Sequence, residues 1–154
     1  MCIRDRRILE RRRNTEKELI NKLMRAGFFP ETAAAVCAWA KEYGFLNDKE
    51  YAKAFASDCI RYKSYGKKRI RQALLYKGID AVTADAVLDE FDFHEADKLS
   101  ELLPKKLGNN FEPKNIAKTI RYFAAKGYAY DDIKRAIAAY KADLLLGEDD
   151  EFGL

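Results

Sequence analysis

The sequence predicts an all-α fold built from tandem three-helix repeats, and three observations carry that reading. No alternating apolar–polar run exceeds a few residues, while apolar residues recur at helical spacing from Thr15 onward. Glycine and proline are sparse, with 8 and 3 copies in 154 residues, so few positions interrupt a helix. A junction also repeats: Gly27, Gly78 and Gly127 stand 51 and 49 residues apart, each four residues after Leu23, Leu74 or Phe123 and one before Phe28, Ile79 or Tyr128. A glycine in that setting suits the left-handed position that closes a helix. A period near 50 residues means stacked supersecondary units.

The chain divides accordingly. Residues 1–14 form a basic N-terminal segment, with six arginines against Asp5 and Glu10 up to Arg13, and read as a truncated or frayed end. Its Arg11, Arg12 and Arg13 are available to a phosphate-binding surface. The first repeat, 15–63, opens on Thr15 with Glu18 at the spacing of a capping box. Its first helix turns Leu19, Ile20 and Leu23 inward and stops at Gly27. Pro30 suits the first turn of the second helix, whose core face is Ala33, Val36, Cys37 and Ala40. Trp39 is expected at the contact between helices. Asn47, with Glu50, caps a third helix carrying Tyr51, Phe55 and Cys59. The second repeat, 64–110, opens with a helix at 67–77 whose inner face is Ile70, Ala73, Leu74 and the stem of Lys77. Leu99, Leu102, Leu103 and Leu107 close this repeat, and Pro104 bends its last turn. The third, 111–146, is partial, with helices at 114–126 and 131–145. An acidic tail, 147–154, follows. Units stacked in this way bury a core between neighbouring helices and make an elongated, curved array suited to lying along a long partner.

Composition excludes several classes. Hydrophobic residues at 48% and charged residues at 35% fit a folded chain with much exposed helix surface. No apolar run approaches a membrane span, and no secretory h-region opens the chain. The cysteines Cys2, Cys37 and Cys59 lack metal-ligand spacing, and Cys37 and Cys59 sit among apolar helix residues as reduced core thiols, which points to the cytoplasm. No catalytic set can be assembled around the one histidine, His94, which reads as a surface residue at a helix start. Gly66-Lys67-Lys68 lacks the upstream glycine of a phosphate loop. The acid pairs Asp48/Glu50 and Asp131/Asp132 stand at helix starts, where they cap. The expectation is therefore no enzyme, no cofactor and no metal.

Charge distribution is the positive signal. The net charge of +4 conceals two fields. Residues 60–78 hold seven bases and no acid: Arg61, Lys63, Lys67, Lys68, Arg69, Arg71 and Lys77. From Asp143 onward there are five acids and no base. A single-sign patch suits a polyanion or an acidic protein face. Lys67, Lys68 and Arg69 occupy a first helical turn, where the dipole is positive and each added cation costs about 0.3–1 kcal/mol. Lys67, Lys68 and Arg71 share one arc of that helix. Tyr62, Tyr65 and Tyr76 interleave with the bases. Tyr62 and Tyr65 are candidates for stacking on exposed nucleobases, and Tyr76 is equally suited to half-core packing. These features admit a regulator that touches protein and DNA, a free-standing helix-turn-helix DNA-binding module, or a helical protein-binding scaffold.

Two segments narrow the choice. Gly44-Phe-Leu-Asn-Asp-Lys-Glu-Tyr-Ala-Lys-Ala-Phe55, followed by Tyr65-Gly-Lys-Lys-Arg-Ile-Arg-Gln-Ala-Leu-Leu-Tyr-Lys-Gly-Ile79, resembles the signature of the RecX family, and Phe123-Ala-Ala-Lys-Gly-Tyr128 fits the same scheme. The resemblance covers roughly residues 15–140, and the acidic tail is outside it. It implies a non-enzymatic modulator of the RecA recombinase that lies in the groove of the RecA–single-stranded-DNA filament. Such a protein restrains filament growth, strand exchange and coprotease activity. It further implies a basic surface at Arg61, Lys63, Lys67, Lys68, Arg69, Arg71 and Lys77; beside it stand the expectations of a monomer, no membrane, and contact with single-stranded and also double-stranded DNA. The expected result is weak, sequence-independent binding of single-stranded DNA whose affinity falls steeply across a salt series. A flat salt response, or strong preference for one duplex sequence, would point instead to the helix-turn-helix class.

Overall fold

A computed structural model describes residues 14–152, with side chains described through Gly147. Among them are eight α-helices, one π-helical turn and no strand. The helices are α1 (Glu16–Arg25), α2 (Pro30–Glu42), α3 (Asp48–Asp58), α4 (Lys67–Tyr76), α5 (Ala81–Glu90), α6 (Glu95–Leu107), α7 (Pro113–Ala125) and α8 (Tyr130–Phe152), with the π turn at Cys59–Lys63. Helix α8 thus continues through the acidic residues expected to form a separate tail, because nothing between Tyr130 and Phe152 breaks it except Gly147, which a helix tolerates at about 1 kcal/mol. The basic segment 1–13 lies outside the described residues.

Local chemistry sets the helix ends. Thr15 Oγ1 accepts the N–H of Glu18 at 3.1 Å, and Asn47 Oδ1 accepts that of Glu50 at 3.2 Å, as the spacing predicts. The three glycine junctions share one geometry. Gly27, Gly78 and Gly127 have φ of 98°, 96° and 100°. Phe28, Ile79 and Tyr128 donate their N–H to Leu23, Leu74 and Phe123 at 3.1, 3.0 and 3.2 Å, and each glycine donates three residues back. This is the Schellman closure, with its apolar pair bridging the turn.

The residues form two compact units. The first comprises the chain up to Cys59 together with Arg71–Phe91, and the second comprises Ile60–Ile70 together with the chain from Asp92. Helix α4 is divided between them. In the first unit α1 packs on α2, and α3 on α5. Leu19, Cys37, Ala40 and Leu46 form one buried cluster there. In the second unit α6, α7 and α8 pack together around Leu99, Leu103, Phe123, Tyr128, Ile133 and Ile137. Each buried aliphatic side chain of this kind contributes about 1.5–3 kcal/mol. Cys37 and Cys59 are buried cysteines outside any disulfide, and burial pushes the Cys37 thiol up.

One docking arrangement occurs in both units. In the first, the start of α1 meets the α4–α5 corner: Thr15 Oγ1 donates to Lys77 O at 2.7 Å, and Glu16 N–H donates to Asp48 Oδ1 at 2.9 Å. In the second, the start of α4 meets the α7–α8 corner: Gly66 N–H donates to Lys126 O at 2.8 Å, and Lys67 N–H donates to Glu95 Oε1 at 2.7 Å. Ile79 and Tyr128 at these corners are buried, whereas the matching Phe28 is 49% exposed beside the exposed Phe29.

One aromatic residue departs from expectation, and another decides between its two readings. Trp39 does not fill a helix–helix contact. It lies at the surface, stacked on Phe45 and tilted against Tyr43, because the inner face of α2 is completed by the small residues Ala33, Cys37 and Ala40. Tyr76 is 86% exposed rather than half-core, since Leu74 and Ile79 already fill the α4–α5 junction.

The corners rank the glycines. A Cβ on Gly127 would lie 2.5 Å from Arg69 N, one on Gly66 2.5 Å from Gly127 O, one on Gly78 2.5 Å from Lys17 Cβ, and one on Gly27 would meet nothing within 4 Å. Gly27→Ala is therefore expected to cost about 1–2 kcal/mol of backbone strain alone. Gly127→Ala adds a collision with backbone and is expected to cost several kcal/mol in thermal or urea melts. Equal losses at both positions would contradict this docking.

Candidate nucleic-acid interface

The seven bases singled out in the sequence fall in different units. Arg71 and Lys77 belong to the first, and both are engaged in its fold. Arg71 Nε donates to Asp85 Oδ1 at 2.7 Å and Nη2 to Oδ2 at 3.4 Å, and this carboxylate raises the already high Arg71 pKa. Lys77 lays its stem along the surface, with Nζ 5.2 Å from the Phe55 ring centre, as the half-apolar role predicts. Arg71 is thus not spare charge: it holds α4 to α5.

Arg61, Lys63, Lys67, Lys68 and Arg69 belong to the second unit. All five are exposed. The π turn carries Arg61, Tyr62 and Lys63, and one extra residue per turn there re-aims the side chains that follow α3. Ser64 then takes φ 53°, a left-handed conformation unusual for a residue with a Cβ. Its carbonyl accepts the Tyr128 hydroxyl at 2.8 Å, which anchors the turn on the α7–α8 corner. Burial, with the nearby Glu95 and Glu101 charges, pushes the Tyr128 pKa up to about 12, so this hydroxyl stays a donor.

The tyrosines behave differently from one another. Tyr62 is 73% exposed, with the Arg61 guanidinium 5.9 Å from its ring centre. Tyr65 is half-buried and ringed by cations: Arg69 at 4.9 Å, Lys63 at 5.7 Å and Lys126 at 6.0 Å. Arg69 also donates to Ala125 O at 2.9 Å, so its guanidinium is held in place. On the side of α4 where its dipole is positive, the first N–H is already answered by Glu95, which explains how Lys67 and Lys68 can stand there.

The structure adds residues from far along the chain. Lys126 donates to Lys63 O at 3.2 Å, and its Nζ lies 5.3 Å from the Tyr122 ring centre, with Lys106 over the same ring at 4.2 Å. Their signal in the sequence was the repeat itself: Lys126 precedes Gly127 as Lys77 precedes Gly78. Lys106 had no comparable signal, because nothing local says that α6 and α7 lie side by side. Among the described residues no cluster of histidine, cysteine or acidic side chains could hold a metal ion, and no helix is long and apolar enough to cross a membrane. His94 is exposed at the start of α6, with Nε2 3.2 Å from Asp92.

Comparison with known proteins gives a consistent picture. Residues 47–88, from the α3 cap into the last turn of α5, match the second three-helix domain of RecX. "Regulatory protein RecX" of Clostridium perfringens strain SM101 is 35% identical over 136 residues, covering 81% of this chain and 61% of that protein. The protein of the same name from Caldanaerobacter subterraneus is 31% identical, with coverage of 85% and 66%. The chain therefore spans somewhat under two thirds of the length of these relatives. The crystal structure of RecX from Lactobacillus salivarius superposes with a TM-score of 0.74 at 23% identity, covering 88% of this chain and 91% of that one, and so shares the fold.

The Tyr128–Ser64 bond generates a pH test. A raised tyrosine pKa stabilises the fold fully below the ordinary value of 10, and that contribution is lost as pH rises through about 12. Tyr128→Phe is expected to lose about 1 kcal/mol at neutral pH, with the deficit relative to the unaltered protein shrinking above pH 10 in urea melts.

Proposed function

The chain belongs to the RecX family, and on that premise we propose that it regulates a RecA-type recombinase, chiefly by inhibition. It binds in the groove of the RecA–single-stranded-DNA filament as a monomer in the cytoplasm and restrains filament growth, strand exchange and coprotease activity. Its relatives are named regulatory proteins rather than enzymes. In this reading the helices lie between a basic stretch at 1–14 and an acidic one at 147–154.

The observation that carries the proposal is the row of exposed cations Arg61, Lys63, Lys67 and Lys68 on one compact unit, in a stretch without acids. Ammonium groups at a helix start gain nothing from the dipole there. A partner supplying phosphate or carboxylate oxygens turns the same charges into charge-assisted hydrogen bonds. The state of the arginines argues against base reading in a duplex groove. Arg69 is tied to Ala125 O and Arg71 to Asp85, which leaves chiefly lysines, suited to phosphate rather than to base edges.

The test is Lys67→Glu combined with Lys68→Glu, with Lys134→Glu as a control on α8. The double variant is expected to remain folded, with a single cooperative melt, and to lose most of its inhibition of RecA strand exchange and ATP hydrolysis. Arg71→Glu is expected to destabilise the fold as well, through loss of the Asp85 pair. Inhibition by the double variant at unaltered concentrations would place the contact elsewhere.

A further inference from the structure

We propose that the cavity between α6 and α7 is a phosphate site for single-stranded nucleic acid, with Tyr122 as the platform for the adjoining base. This deepens the regulatory reading and rests on it for its biological setting. The cavity has a volume of about 210 Å³ and is lined by Ser64, Leu102, Lys105, Lys106, Tyr122, Phe123 and Lys126. Three lysines line it and no acidic residue does, and the ammonium groups of Lys106 and Lys126 lie over its Tyr122 ring. Like charges gathered around one hollow repel each other, and a phosphate removes that repulsion.

The lysines are placed by the fold. Lys105 and Lys106 are exposed in the last turn of α6, and Lys126 caps the C-terminus of α7. Both are positions where a cation complements the helix dipole, so each is tolerated singly. Packing of α6 on α7 then brings them to one cavity. Ser64 closes the rim, held by the Tyr128 hydroxyl on its carbonyl. Leu102 and Phe123 supply an apolar wall.

The aromatic part distinguishes a single strand from other anions. Tyr122 is 39% exposed, with Lys106 and Lys126 both over its ring. Lys126 also reaches Tyr65, so rings and cations alternate from Tyr65 through Lys126 and Tyr122 to Lys106. Strand-tracking surfaces combine these same two components, cations for the backbone and exposed rings for unpaired bases. A duplex offers phosphates but no free base faces. Asp92 and Glu95 border a separate cavity that also touches Tyr65 and Ser64, which assigns the anion to the α6–α7 side.

The test uses the full chain, a short fluorescein-labelled oligothymidine and anisotropy titrations across a salt series. Lys106→Gln with Lys126→Gln is expected to weaken binding at least about tenfold and to flatten the salt slope by roughly 0.7 for each phosphate no longer held. Tyr122→Leu is expected to weaken binding with the salt slope unchanged. Lys105→Gln, at an exposed position, gives a second charge variant should the double one fold poorly, and Lys134→Gln is the control. Inhibition of RecA is measured on the same samples. If the unaltered protein restrains RecA but the pocket variants bind oligothymidine normally, the pocket proposal falls and the regulatory one stands. If binding depends on the pocket but RecA is unaffected by the unaltered protein, the pocket proposal stands and the regulatory one falls. Equal affinity for duplex and single strand, with Tyr122→Leu silent, would overturn the stacking role.

Discussion

The N–H of Gly66 donates to the carbonyl of Lys126 at 2.8 Å, and the second unit is arranged around that approach. Two backbones can come this close only if neither carries a side chain at the contact. Gly66 faces the carbonyl of Gly127, and Gly127 faces the backbone of Arg69. The approach sets the first turn of α4 on the α7–α8 corner. That in turn places Tyr65 and Arg69 beside Lys126. The first unit repeats the device with a threonine hydroxyl in place of the glycine amide, and there the close neighbour of Gly78 is Lys17. In both units the first helical N–H is also taken by a carboxylate from the first residue of a later helix, Asp48 or Glu95. A helix start and a glycine corner are thus two halves of one joint, used twice.

This joint resolves an apparent conflict in the sequence. Three bases at the start of α4 oppose its dipole, and local rules read that as a cost borne for function. The cost is smaller than local reasoning suggests. Glu95 accepts the first N–H, Arg69 bonds the Ala125 carbonyl, and Arg71 pairs with Asp85. Part of the basic stretch is therefore structural, and part is exposed charge. Lys68 belongs to the second part, with Arg61 and Lys63 on the π turn before it.

Aromatic residues follow a similar division. At the position after a corner glycine, burial depends on whether a helix start is docked there. Among the described residues Ile79 and Tyr128 are covered by one, and Phe28 is not. Trp39 and Tyr76 are displaced to the surface because smaller neighbours complete the core without them. Small residues on an inner face let the neighbouring helix approach closely, and no space for a large ring is then left between the two.

The all-α class, the helix starts at Thr15 and Asn47 and the left-handed glycines were determined by the sequence alone, because each rests on interactions within a few residues. The acid-free run from Ile60 to Gly78 was equally legible, and so was the family resemblance. Which of its bases are spent inside the fold was not legible, since Asp85, Ala125 and Phe55 are far along the chain from the groups they hold. The continuation of α8 to Phe152 was hidden by its acidic residues, which suggest a tail although acids are compatible with helix. The gathering of Lys106, Lys126 and Tyr122 with Ser64 was decided only by tertiary structure. No local rule specifies which helices lie side by side, and a cavity lined by residues some sixty positions apart exists only once the glycine joint has brought them together.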